Sequence, residues 1–366
     1  MILTSSPGTP IPGMPIRYEA TPMLATSRPT ADARSRLPRY PLRFEPIYQH
    51  RPWGGRRLAD LLAAPLPDGL VGEAWLLSDR DDHQSRVANG PLEGQSIGQL
   101  LEQWPEEMLG SLAGCFPRFP LLLKFIDARG MLSVQVHPSD HQAADLLLGD
   151  SGKTEAWVVL EAEPDSHIYA GLKPGTTADD LRRSLADTTV TDRLACFTPK
   201  AGDGVFLPAG TVHALGGGVV VFEVQQNSDL TFRLYDWDRA DPRTGRLREL
   251  QVDRALACAD FAAGPVAPVL PVEQHGDPLP AEEVFRCEQF GLRRFTGETR
   301  FGVGIQGSPR VLVCIGGEGD LEYDDQTFAV RTGEVVLLPA AVGACVFQPA
   351  GVVSLLEVSL PKGAHR

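Results

Sequence analysis

The chain has 366 residues, 43% of them hydrophobic and 22% charged, a composition that excludes a disordered or fibrous protein and predicts a soluble globular one. Lys+Arg 34 against Asp+Glu 47 leaves a net charge of −13. That balance excludes broad binding to nucleic acid or to an anionic membrane, both of which need a basic face, but leaves room for a small basic pocket for a phosphate. At roughly 150 residues per domain, the length predicts two domains, or one large domain with additions. The 6 cysteines are scattered without a C-x-x-C pair, so neither a thiolate zinc site nor a redox motif is signalled, and a reducing cytoplasm is the expected location.

Residues 1–40 are rich in Pro, Ser, Thr and Arg and can form no periodic apolar face, which predicts a disordered tail with globular sequence from about Pro41. Residues 96–112 have helical apolar spacing interrupted by Pro105. Residues 119–125 are an apolar run, 131–137 (MLSVQVH) alternate like a strand stopped by Pro138, and 155–160 (EAWVVL) read as another strand. Residues 176–196 read as a helix that is polar on one side. From Gly202 onward short strands and Gly/Pro turns recur, the pattern of a β-sandwich or barrel. Residues 335–356 are uncharged over a membrane-spanning length, but Pro339, Pro349, Gly343 and Gly351 break them into two expected buried strands and a turn. The segment GDGVFLPA at 202–209 is echoed without gaps by GEVVLLPA at 333–340, which predicts two related β-domains, 41–265 and 266–366. The echo sets Ala344 opposite His213, so whatever His213 does, the second copy has lost.

Chemistry concentrates in the first copy. Gln135 and His137 are two apart on an expected strand, so both point to one face while Val134 and Val136 point to the other. Spacing alone leaves them equally a hydrogen-bonded interior pair. Glu155 opens the next strand after the Gly152-Lys153 turn; it is either a surface glutamate or a buried carboxylate that needs a partner or a metal. His213 follows the Pro208-Ala209-Gly210 turn. Together they make a mixed N/O ligand set of catalytic type, suited to Zn²⁺, with Mn²⁺, Fe²⁺ or Co²⁺ as alternatives. Downstream, 223–229 (EVQQNSD) and 233–237 (RLYDW) are dense in polar groups; Arg233 offers a fixed fork of donors for a phosphate or a sugar oxyanion. Lys124 and Ser133, on the segments entering the Gln135 strand, are further phosphate donors or ordinary core residues.

The motifs SVQVHP (133–138), GKTEAW (152–157), PAGTVHA (208–214), EVQQNSD (223–229) and RLYD (233–236), with WGG (53–55), GEAW (72–75) and LLKFIDA (122–128), together resemble class I (type I) mannose-6-phosphate isomerases of the shorter bacterial subgroup. The matching motifs cover about residues 44–240. The resemblance implies a mainly β fold of two cupin-like jelly-roll barrels with a few helices around them. It implies a zinc-dependent aldose–ketose isomerase acting on mannose 6-phosphate and fructose 6-phosphate, with one metal per chain. By motif position, Gln135, His137, Glu155 and His213 match the metal ligands, Arg233 and Lys153 match residues implicated in catalysis, and Lys124 and Ser133 match the phosphate-binding positions. Larger family members carry His-Lys-Pro-Glu where this chain has Gly152-Lys153-Thr154-Glu155, so no histidine stands beside the lysine. An enediol route needs a base at the sugar carbon, for which Lys153 and Glu223 are the two candidates. The competing readings are a cupin isomerase for another sugar phosphate and a non-catalytic sugar-phosphate sensor. The expected partner is a small sugar phosphate, with no nucleic acid and no membrane; whether the chain is a monomer or a homodimer the residues leave open.

Overall fold

In the computed structural model, residues 36–62, 65–240, 244–274 and 279–361 are described; most of the expected tail, 1–35, lies outside them. Leu37 and Tyr40 are already buried, so packing begins a few residues before Pro41.

The chain builds two pairs of antiparallel sheets. The first pair has a six-stranded sheet in the order Gly204–Leu207, Glu155–Ala162, Val219–Gln226, Leu121–Ala128, Ile47–Gly55, Val71–Leu77. It faces a five-stranded sheet of Leu194–Phe197, Ile168–Leu172, His213–Leu215, Val134–Val136 and Phe232–Tyr235. The second pair has a seven-stranded sheet running from Leu42–Arg43 through Val335–Leu338, Arg310–Gly316, Val353–Ser359, Gly291–Gly297 and Ala281–Arg286 to Val272–Gln274, and a smaller sheet of four strands. The fold is therefore mainly β and cupin-like as expected, although hydrogen bonding leaves each pair as two sheets rather than one closed barrel.

The six- and seven-stranded sheets pack back to back. Ala156, Val158, Phe125, Phe222 and Val224 meet Val284, Phe285, Val311, Val313, Leu356 and Val358 in one core. This explains why LLLKFIDA and VVVFEVQQ read as almost continuous apolar runs: alternate residues fill two different cores. The strand Leu42–Arg43 pairs with Val335–Leu338, so the N-terminal edge belongs to the C-terminal sheet and the expected division at 265/266 is crossed.

Several expected elements are shorter. The helix expected over 176–196 is Ala178–Ala186, started by a Thr177–Asp180 capping box. Thr188 then takes a left-handed conformation, and Leu194–Phe197 pairs with Ile168–Leu172 instead. Of 131–137 only Val134–Val136 is strand. Residues 335–356 enter three strands rather than two. Among the described residues no helix is long and apolar enough to cross a membrane.

Register makes the echoed segments structurally equivalent. Leu207 pairs with Glu155, and its counterpart Leu338 pairs with Arg310. The buried Lys124–Glu223 cross-strand pair has its counterpart in Arg293–Glu357. The second pair of sheets thus keeps an ion pair at the same sheet position, with Glu357 buried and Arg293 partly exposed, but carries Arg310 where the first has Glu155, and exposed Ala344 where the first has His213.

Candidate metal centre

Three neighbouring strands converge on one buried point. His213 opens its strand directly opposite Gln135, and Glu155 opens the strand across the sandwich. The Pro208-Ala209-Gly210 turn is tied to the first strand by the Gly210 N–H, which donates to His137 O at 2.8 Å; Gly210 has φ +88°, which a side chain would strain. His137, Glu155 and His213 place one donor atom each within 4.8 Å of one another, the only such group among the described residues.

The histidine tautomers follow from their outer contacts. His137 Nδ1 lies 2.8 Å from Leu230 O and His213 Nδ1 2.9 Å from Thr211 O, so each Nδ1–H donates to a carbonyl and each Nε2 lone pair faces inward. The Nε2 atoms stand 3.5 and 3.2 Å from the two oxygens of Glu155. Burial, with the Lys153 charge adding to it, holds the His137 pKa well below the usual imidazole range, so the ring is neutral. Burial works against the Glu155 charge, yet the Lys153 charge beside it outweighs burial and holds the carboxyl well below the usual carboxylate range. Neither Glu155 oxygen, fully buried, accepts a hydrogen bond; the Lys153 Nζ contact at 2.8 Å is an ion pair.

Two inward lone pairs and a buried carboxylate without hydrogen bonds call for a cation. The Lys153 ammonium, also 3.2 Å from His137 Nε2, meets part of that demand. A divalent ion fits the same donors. Gln135 stands beside this group: its amide nitrogen is 3.2 Å from His213 Nε2 and its oxygen accepts from Ser133 Oγ, so turning the amide over would aim the oxygen inward. Gly152 is required here, because a Cβ would lie 2.3 Å from Asp140 N at the start of the helix Asp140–Asp145. The backbone leaves no space for a side chain at this position.

A family model for the catalytic domain of type I phosphomannose isomerase matches residues 42–192. Mannose-6-phosphate isomerase ManA of Bacillus subtilis is 34% identical over 303 residues, 83% of this chain and 94% of that protein. The chain belongs to the type I phosphomannose isomerase family. A Streptococcus mutans mannose-6-phosphate isomerase is 30% identical, with 82% of this chain and 93% of that protein aligned. The crystal structure of a Bacillus subtilis mannose 6-phosphate isomerase superposes with a TM-score of 0.80 at 29% identity, covering 87% of this chain and 99% of that one.

The family resemblance matches Lys124 and Ser133 to phosphate-binding positions; in this structure both contact neighbouring side chains. Lys124 Nζ bonds Glu223 at 2.9 Å and Gln225 at 2.6 Å, and lies over the Trp75 ring. Burial opposes its charge, but the Glu223 and Glu73 carboxylates outweigh it and push its pKa up. Here Lys124 balances the charge of those two carboxylates. Ser133 donates to Gln135. Glu223, buried, is held from both sides, by Lys124 and by the Trp157 indole N–H at 2.8 Å. Trp157 in turn packs edge-on against His213, with ring centroids 5.6 Å apart. Arg233 pairs across strands with Gln135, which puts it on the cluster's side of the sheet; its Nε is buried without a partner.

The residue that sequence reasoning passed over is Glu73. It was legible as the one carboxylate in VGEAWLL, a strand buried throughout. Burial raises its pKa, but Lys124 and Arg51 overcome this and hold it at about 2. A carboxyl whose folded pKa is depressed contributes stability above its unfolded value, and that contribution is lost as pH falls from 4.5 towards about 2. The contribution is about 3 kcal/mol. Urea unfolding at pH 5 and pH 3 is expected to show the wild-type chain losing more stability than Glu73→Gln over that interval; parallel losses would remove Glu73 as the cause.

Proposed function

We propose that this chain is a metal-dependent aldose–ketose isomerase that interconverts mannose 6-phosphate and fructose 6-phosphate. The observation that carries the reading is Glu155: a buried carboxylate without hydrogen bonds, faced by the Nε2 atoms of two histidines locked in one tautomer. Gln135, His137, Glu155 and His213 would hold Zn²⁺, one per chain, since the second barrel carries Arg310 and Ala344 at the corresponding positions. The bound ion would supply Lewis-acid polarisation of the sugar's carbonyl oxygen.

The chain's own residues do the rest. Isomerisation moves a proton between C1 and C2, so a base must reach the carbon and a donor must meet the charge that grows on oxygen. Arg233 supplies that donor, since its guanidinium is committed to no protein acceptor among the described residues. Lys153, buried at the cluster, and Glu223, oriented by Trp157, are the two groups fit to carry the proton.

The test is conversion of mannose 6-phosphate to fructose 6-phosphate by purified protein, with chelator and then with Zn²⁺ added back. Turnover that the chelator abolishes and zinc restores, with about one ion per chain by elemental analysis, is the expected result. No turnover in zinc-replete protein would overturn the reading and point to another sugar phosphate or to a sensor.

A further inference from the structure

One row of side chains crosses the six-stranded sheet on the face that bears the metal cluster. Trp75 stands opposite Lys124, Lys124 opposite Glu223, and Glu223 opposite Trp157. Trp157 lies two residues after Glu155 on the same strand, so both side chains point to that face. The buried Trp157 indole has two contacts there. Its Nε1–H donates to Glu223 Oε2 at 2.8 Å, and its ring meets His213 edge-on, with 5.6 Å between centroids and 78° between planes. Glu223 is thus gripped at both oxygens, Oε1 by Lys124 and Oε2 by the indole, and the indole bridges it to His213.

The second pair of sheets is an internal control. Arg293–Glu357 stands there in place of Lys124–Glu223, and Glu357 is likewise buried. The position of Trp157 is taken by Leu312, which lies opposite Glu357 and two residues after Arg310. Leucine carries no donor, and Glu357 Oε2 accepts instead from the Gly304 backbone N–H at 2.7 Å. The ion pair therefore belongs to the fold, since it recurs in the copy that has Arg310 and Ala344 in place of Glu155 and His213. The indole donor belongs to the copy that carries the metal cluster. Filling the space needs only an apolar side chain, as Leu312 shows. A neutral N–H on a buried carboxylate does something more: it fixes the orientation of the group without cancelling its charge.

We infer that Trp157 is a positioning residue: its indole N–H fixes Glu223 in the orientation from which that carboxylate takes and returns the migrating proton. The inference rests on the isomerase reading above and chooses between its two candidate bases. Glu223 takes the proton from C2 of the open-chain aldose, and the C–H electron pair becomes the C1–C2 double bond of the enediol. The same proton is then delivered to C1, while the O2 hydroxyl proton passes to O1. One carboxylate serving both carbons has to stay within reach of both, which a pinned group does and a freely rotating one does not. Lys153 is left as the counter-charge to Glu155, with which it pairs at 2.8 Å.

The experiment compares wild type, Trp157→Phe, Glu223→Gln and the double variant, all zinc-loaded, with metal content, melting and mannose 6-phosphate kinetics measured on each. Trp157→Phe keeps an aromatic ring beside His213 and loses the N–H. It is expected to retain its metal, to lose about tenfold to a hundredfold in kcat, and to keep KM within about twofold. In the Glu223→Gln background the same substitution is expected to add almost nothing, because the group it positions is already gone. If the phenylalanine variant does not fold, benzothienylalanine at position 157, which keeps the shape of the indole and has no N–H, gives the same comparison. With wild type active, any of four results would overturn the inference and leave the isomerase reading intact: unchanged kcat in Trp157→Phe, loss of its metal, an equal further loss in the Glu223→Gln background, or near-normal turnover of Glu223→Gln itself. No turnover by zinc-loaded wild type would instead sink the isomerase reading, and this inference with it.

Discussion

His213→Ala is expected to lose the metal and at least about a thousandfold of turnover together. The size follows from the chemistry: Lewis-acid stabilisation is worth several kcal/mol, and each 1.4 kcal/mol is a factor of ten in rate. His213 is a candidate ligand held in one orientation. Its Nδ1 is bound to Thr211 O, its ring is braced by Trp157, and its Nε2 stands 3.2 Å from Glu155. The ring is also fully buried, so truncation opens a cavity that costs stability in its own right. His213→Gln, which keeps most of the volume, separates the two effects. Both variants should lose metal by elemental analysis, while only the alanine variant should melt much earlier. A His213→Gln protein that kept its metal and its turnover would remove His213 from the ligand set.

Arg233→Ala is expected to keep its metal and lose about a hundredfold to a thousandfold of turnover, the usual cost of removing one donor to a developing oxyanion. The substitution leaves the two backbone bonds to Gln251 in place and removes a side chain whose Nε has no protein acceptor, so the fold should tolerate it. Arg233→Lys should recover little, because an ammonium cannot reproduce the planar fork. Near-normal turnover of Arg233→Ala would exclude Arg233 from the chemistry. Loss of metal in that variant would instead make it a support for Gln135, its cross-strand partner.

Legibility in the sequence tracked how local each signal was. Gln135 and His137 share a face because residues two apart on a strand always do. Glu155 stood out as a carboxylate opening an apolar strand, and His213 as a histidine after a tight turn. The repeat of GDGVFLPA in GEVVLLPA was visible as text, and register sets the two segments at equivalent positions in two sheets, although Leu42–Arg43 adds a strand beyond the second. The roles of Lys124 and Glu223 were not legible. Lysine in LLLKFIDA and glutamate in VVVFEVQQ are separated by 99 positions, and only sheet pairing sets them opposite each other at 2.9 Å. The long helix expected over 176–196 failed for a related reason: pairing with Ile168–Leu172 draws Leu194–Phe197 out as strand, whatever its local spacing suggests.

The sequence by itself determined the mainly β class of the fold and most sheet-forming segments, because alternation and turn residues are properties of short stretches; the four candidate ligands came from the joint resemblance of several motifs, since spacing alone left each of them an ordinary interior or surface residue. Tertiary structure alone decided what those side chains face. It locked both imidazoles through the carbonyls of Leu230 and Thr211, and it left Glu155 without a hydrogen bond. It also turned Lys124 towards Glu223 and Gln225. Charge interactions act over a few ångströms of space and not along the chain, so a group's partners, and with them its protonation and its chemistry, are settled only when the strands have found their register.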